Sequence, residues 1–187
     1  MMRQCGDCQL CCKLLPVPEI DKLANTKCKH QRHHVGCTIY RNLPMSCALW
    51  NCRWLVNDDT GDLSRPDRSH YVIDILPDHI TAEFGGVSGN IEVVQIWIDP
   101  GYPNAHRDPA LRRYLERRAS ENTIGVVRNG AHESIVLLPP TMTGESDWIE
   151  ITPKPRAEGY SLLATINAMQ NTVQIIPPQH ESPKHHD

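Results

Sequence analysis

Eight cysteines occur in this chain, all within its first 52 residues: Cys5, Cys8, Cys11, Cys12, Cys28, Cys37, Cys47 and Cys52. Thiolates are strong ligands for zinc and iron, and a tetrahedral site needs its sulfurs about 2.3 Å from the ion. Closely spaced cysteines meet that demand at low chain-entropy cost. The run Cys5-x-x-Cys8-x-x-Cys11-Cys12 offers four thiols in eight residues, and the other four follow at spacings that suit loops folding back on it. Eight thiols exceed one tetrahedral site. Either two metals bind, or one metal or cluster binds and the remaining thiols are supporting, redox or structural groups. If the first run is helical, a turn of about 100° per residue puts Cys5, Cys8 and Cys12 on one face and Cys11 about 120° from Cys5.

A disulfide framework is the competing use of so many cysteines. Adjacent Cys11 and Cys12 do not easily bridge each other, and the first residues, Met-Met-Arg-Gln-Cys, contain no apolar signal region. A cytoplasmic, reduced protein is therefore expected, and there a dense cysteine cluster points to metal. No segment approaches the roughly 18 apolar residues of a membrane span. The net charge of −3 gives no general attraction to nucleic acid or to an anionic membrane. Metal is the one partner the sequence argues for; it identifies no protein partner.

The run Cys5-Gly6-Asp7-Cys8-Gln9-Leu10-Cys11-Cys12, then Cys28, then Gly36-Cys37-Thr38-Ile39-Tyr40, then Cys47 and Cys52, resembles the bacterial cysteine-cluster family named for its CxxCxxCC motif. This is the YkgJ type, described as a zinc- or iron-chelating domain. The resemblance covers about residues 5–54. It departs at Gln9-Leu10, where the family usually carries glycine, and at Leu43-Pro44, where it usually carries Arg-Pro; neither departure removes a cysteine. What the resemblance implies is chelation of zinc or iron.

Other residues give weaker signals. His30, His33 and His34 lie between Cys28 and Cys37, and imidazole is a common zinc ligand, but a solvated basic loop from Lys27 to His34 explains them equally simply. His180, His185 and His186 sit in a polar, proline-rich tail. Arg112, Arg113, Arg117 and Arg118 spread around a helix and read as its solvated face. Gly85-Gly86-Val87-Ser88-Gly89 matches no phosphate-binding or nucleophile-elbow motif and reads as a turn.

The positioning elements follow from periodicity. Pro18 opens a short helical candidate, Glu19–Ala24, and 57–62 reads as a turn. Strands are expected at His70–Leu76, Ile91–Asp99, Thr123–Arg128, Glu133–Leu138 and Trp148–Thr152, with Asn129-Gly130 as a two-residue hairpin turn. Asp108 caps and Pro109 begins a helix with Leu111, Tyr114 and Leu115 as its apolar stripe. Tyr160–Met169 reads as a short helix and Thr172–Ile176 as a strand, with disorder expected from about residue 177. The fold class is α+β: a cysteine-rich metal module over 1–56, a mostly β region with one amphipathic helix over 57–157, and a C-terminal segment over 158–187. The leading function is metal binding, zinc or iron. The alternatives are an iron–sulfur protein in electron transfer and an enzyme with its substrate site in residues 60–157. The bacterial ferredoxin run continues with three residues and then Cys-Pro, whereas here Cys12 follows Cys11 at once.

Overall fold

The computed structural model describes residues 3–33, 35–74, 78–84, 87–129, 133–152, 154–155, 162–163, 165–168 and 171–176. His34, Gly85-Gly86, Gly130 and the tail from 177, with His180, His185 and His186, lie outside the described residues.

The chain is α+β. Helices are α1 (Leu10–Leu14), α2 (Met45–Leu49), α3 (Arg53–Val56), α4 (Pro66–Ser69), α5 (Pro109–Ala119) and α6 (Pro140–Thr143). Strands are β1 (Gln31–Arg32), β2 (Gly36–Cys37), β3 (Tyr71–Ile73), β4 (Asp78–Phe84), β5 (Val87–Ile98), β6 (Thr123–Asn129), β7 (Glu133–Leu138), β8 (Ile149–Ile151), β9 (Lys154–Pro155), β10 (Leu162–Leu163), β11 (Thr165–Ala168) and β12 (Asn171–Ile176). One eight-stranded sheet runs β11-β12-β4-β5-β6-β7-β8, with β3 paired to the second half of β5. Every described pairing is antiparallel except β5 with β6, which are joined through α5 as a parallel unit must be.

Alternation along β3 and β5 explains how two layers share this sheet. Side chains on a strand point to opposite faces in turn. Tyr71, Ile73, Ile96 and Ile98 join Leu111, Tyr114 and Leu115 of α5 in one buried cluster. Val72 belongs to a second cluster with Leu10, Leu14 and Cys52, against which Trp50, Trp54 and Trp97 pack. With one face under α5 and the other under the cysteine module, β3 is buried at every position, which is why Tyr71-Val72-Ile73 reads as unbroken apolar sequence. Polar ties reinforce the docking. Lys13 Nζ donates to both carboxylate oxygens of Asp99 at 2.7 Å. Arg53 Nη1 donates to Tyr114 Oη at 2.8 Å, and Arg3 Nη1 donates to the Trp54 carbonyl at 2.6 Å.

Helix α5 forms as its sequence predicts. Asp108 Oδ1 accepts from Ala110 N at 3.0 Å, Pro109 follows, and the stripe Leu111, Tyr114 and Leu115 is buried. The arginines of α5 are paired rather than free: Arg112 with Glu150, Arg117 with Asp62, Arg118 with Glu92 and Glu121.

Three expectations are corrected. Glu19–Ala24 is not a helix: a 3-10 turn covers Pro18–Ile20, Asp21 adopts positive φ, Lys22 bridges back to Val17, and Leu23 is exposed. The lysine, not the leucine, turns inward here. Asn129 is a strand residue paired with Glu133, so it is not a turn position. The described part of Tyr160–Met169 is strand, because 165–168 pair along β12.

Gly125 marks the closest approach of helix and sheet. A Cβ there would lie 2.9 and 3.2 Å from the two Leu115 methyls and 3.4 Å from Ile96 Cδ1. Gly125→Ala should destabilise the fold by about 1–3 kcal/mol, the range for overpacking a dense core. Urea unfolding measures this; an unchanged midpoint would mean that α5 sits farther off the sheet.

Candidate metal centre

Short, irregular elements set out the cysteines. Cys5 and Cys8 lie on a turn closed by the Cys8 N–H bonding the Cys5 carbonyl at 2.9 Å, with Gly6 at φ 55°. Only Cys11 and Cys12 are in α1, so the single helical face for Cys5, Cys8 and Cys12 does not exist. Glycine, which alone visits positive φ freely, ends that pattern before it begins. Cys28 is tied to α1 by its N–H bonding the Cys12 carbonyl at 3.2 Å. Cys37 lies on β2 opposite Gln31, and Cys47 on α2, held by Ser46 N and Oγ donating to Glu19 Oε1 at 2.8 and 2.9 Å. Cys52 is the N-cap residue just before α3 and bridges to Asp74 beside β3.

Four of the cysteines line one small cavity. Cys5, Cys8, Cys11 and Cys52 line it together with Trp54, Pro66 and Val72, and its volume is about 20 Å³. Nearby backbone N–H groups favour the thiolate form, those of Leu10 and Asp67 at Cys8 and those of Trp54 and Leu55 at Cys52. Such donors orient and stabilise a thiolate. Burial still dominates in the metal-free state, pushing Cys5 and Cys8 up and Cys52 up to about 11. The Arg65 guanidinium opposes this at Cys5 and Cys8. It is held by Asp67 at 2.7 Å and Asp7 at 2.8 Å, and a Cβ on Gly6 would lie 3.2 Å from its Nη1.

The remaining thiols, Cys12, Cys28, Cys37 and Cys47, do not line that cavity. Cys47 is raised first by burial and then by the charges of Cys12, Cys28 and Cys37. Lys22 is the cation among them. It is buried, its Nζ donates to the carbonyls of Lys13, Leu15 and Leu23, and the thiolates of Cys28, Cys12, Cys47 and Cys11 offset the cost of burying its charge. Between the two groups Cys11 donates a hydrogen bond to Cys12. That bond, aided by Lys22, brings Cys12 down to about 7 against the effect of burial and drives Cys11 well up.

All eight cysteines are free. Among the described residues no group of three or more His, Cys, Asp or Glu side chains is placed where it could hold a metal ion. Sequence reasoning missed Lys22 and Arg65: nothing in their spacing distinguishes a buried or clamped cation from a solvated one. Outside the module, a surface hollow of about 670 Å³ includes Ser64, Arg68, His70, Tyr102, Arg107 and Asp108 in its lining. His70 and Tyr102 stack at 3.4 Å, Asp108 is engaged by Ala110 and Tyr71, and Arg107 by Glu150. Among the described residues no helix is long and apolar enough to cross a membrane.

Comparison with protein-family profiles, with curated proteins and with solved structures finds no match to this chain.

These environments set an order of thiol reactivity. In metal-stripped, reduced protein near pH 8, Cys12 should alkylate first and Cys52 last, because only the thiolate attacks and Cys52 is also buried. Mass spectrometry of timed iodoacetamide samples reads the order; Cys52 leading Cys12 would contradict the geometry.

Proposed function

We propose that this protein binds zinc or iron through its N-terminal cysteine module. The observation that carries the reading is that Cys52, far away in sequence, lines one small cavity together with Cys5, Cys8 and Cys11. The donor set fits a thiophilic metal: soft sulfurs, a clamped guanidinium on one side and a buried ammonium on the other to offset the charge of thiolates. When bound, the ion would cross-link loops that lack a core of their own. The sulfurs would close around it as their protons leave, so ligand spacing is completed by the metal rather than before it. The resemblance to the CxxCxxCC, YkgJ-type cluster supports the same reading, as does a reducing compartment such as the cytoplasm, where eight free thiols persist.

The enzyme alternative draws less support. The carboxylate and one arginine of the 60–157 hollow are already committed to a helix cap and to an ion pair. An iron–sulfur centre differs from zinc or mononuclear iron in colour and in its inorganic sulfide. Elemental analysis of protein purified without oxygen should find zinc or iron in near-stoichiometric amount. Removing it under reducing conditions should expose residues 1–56 to protease while the sheet stays protected. Protein that is metal-free as purified, takes up none, and keeps the module protected would refute the reading.

A further inference from the structure

We propose that the hollow at the carboxyl end of β5 binds a small phosphate ester that carries a planar ring, the chemistry of a mononucleotide. The site is separate from the cysteine module and does not rest on metal binding.

Topology builds the hollow. β3 and β5 are antiparallel in a register that pairs Tyr71 with Ile98, so the residue before β3 meets the residues after β5. The Asp99 N–H donates to the His70 carbonyl at 2.9 Å and closes that junction. One wall is therefore the end of α4, with Arg68 and His70. The other comes from residues 101–108, which carry the chain from β5 into α5. β5 and β6 are parallel across that helix. In such units ligands gather outside the carboxyl end of the strand, where the chain leaves for its crossover helix. The volume, about 670 Å³, lies within the roughly 300–1,000 Å³ of small-molecule sites.

The walls are set before a ligand arrives. The Tyr102 N–H donates to the Asp99 carbonyl at 2.7 Å, and the Ala105 N–H to the Tyr102 carbonyl at 2.9 Å. Asp99 Oδ1 accepts from Gly101 N at 2.9 Å. His70 has φ 63°, a left-handed conformation that a non-glycine residue adopts at a cost. Its imidazole lies flat on Tyr102, with ring centroids 3.4 Å apart and planes within 3°. His70 covers one face of the phenol ring, yet Tyr102 remains 51% exposed, so the other face is open to a planar ring.

Charge selects the rest of the ligand. Arg68 is exposed, and among the described residues its side chain has no hydrogen-bond or ion-pair partner. Asp67, which feels its charge, is held by Arg65 instead. Arg107 gives Nε and Nη2 to Glu150 at 3.2 and 2.9 Å, which leaves Nη1 for another acceptor, and Glu150 is shared with Arg112. Asp108, the carboxylate of the lining, has both oxygens engaged, by Ala110 N and Tyr71 Oη. The hollow thus offers two guanidinium groups, whose fork of donors suits phosphate. A phosphate monoester, with a charge of about −1.5 to −2 near pH 7, matches both; a single carboxylate matches one. Binding is non-covalent and leaves the ligand unchanged.

The test is isothermal titration calorimetry of the full-length protein with AMP. Adenosine supplies the ring without the phosphate, and ribose 5-phosphate the phosphate without the ring. AMP should bind at about one equivalent, and each half at least about tenfold more weakly. Arg68→Gln removes an exposed charge that has no structural partner and should weaken AMP about tenfold or more. Tyr102→Leu should bring AMP down to the affinity of ribose 5-phosphate. Arg41→Gln, at an exposed arginine of the cysteine module, should leave AMP binding unchanged. Circular dichroism identifies any variant that loses the sheet, and Arg68→Gln decides if Tyr102→Leu does so. No AMP binding, adenosine or ribose 5-phosphate as tight as AMP, or full AMP affinity in Arg68→Gln overturns the proposal.

Discussion

Packing of Leu10, Leu14 and Cys52 onto Val72 of the sheet fixes where the cysteine module can sit. Burying a leucine or valine contributes roughly 1.5–3 kcal/mol relative to leaving it exposed. Among the described residues before Asn57, the buried hydrophobic side chains are Leu10, Leu14, Val17 and Cys52. Leu23, Val35, Tyr40, Met45 and Leu49 remain on the surface. A segment with so small a core depends on the sheet for one anchor and on cross-links for the rest. Because Cys52 is itself part of the anchor, the docking that holds the module also brings a cysteine to the lining of the cavity shared with Cys5, Cys8 and Cys11.

Electrostatics then sorts the thiols. Two thiolates side by side repel, and burial raises the cost of each, so the metal-free state keeps most of them protonated. Arg65 and Lys22 act against that tendency from opposite sides. Both are immobilised: Arg65 by two carboxylates, Lys22 by three main-chain carbonyls. Each provides a positive charge beside thiols that a divalent ion would convert to thiolates.

Much of this was legible from residue order. The hairpin strands 123–128 and 133–138, the Asp108-Pro109 helix start and the α+β class follow from short-range patterns, and the structure bears them out. The failures share a cause. The segment 19–24 has helical spacing, but tertiary burial of Lys22 and the positive φ of Asp21 override it. The helical face drawn through Cys5, Cys8 and Cys12 assumed that the run was continuous; Gly6 in a left-handed turn shortens the helix to five residues. The two covered faces of β3 could be suspected from its unbroken apolar run, but not which element covered each.

The most direct measurement is X-ray absorption at the metal edge of protein purified without oxygen. The account predicts a first shell of about four sulfurs near 2.3 Å and no light-atom ligand, for zinc or for mononuclear iron. A shell dominated by nitrogen or oxygen would contradict it, because the ion would then be held by groups other than the cysteines.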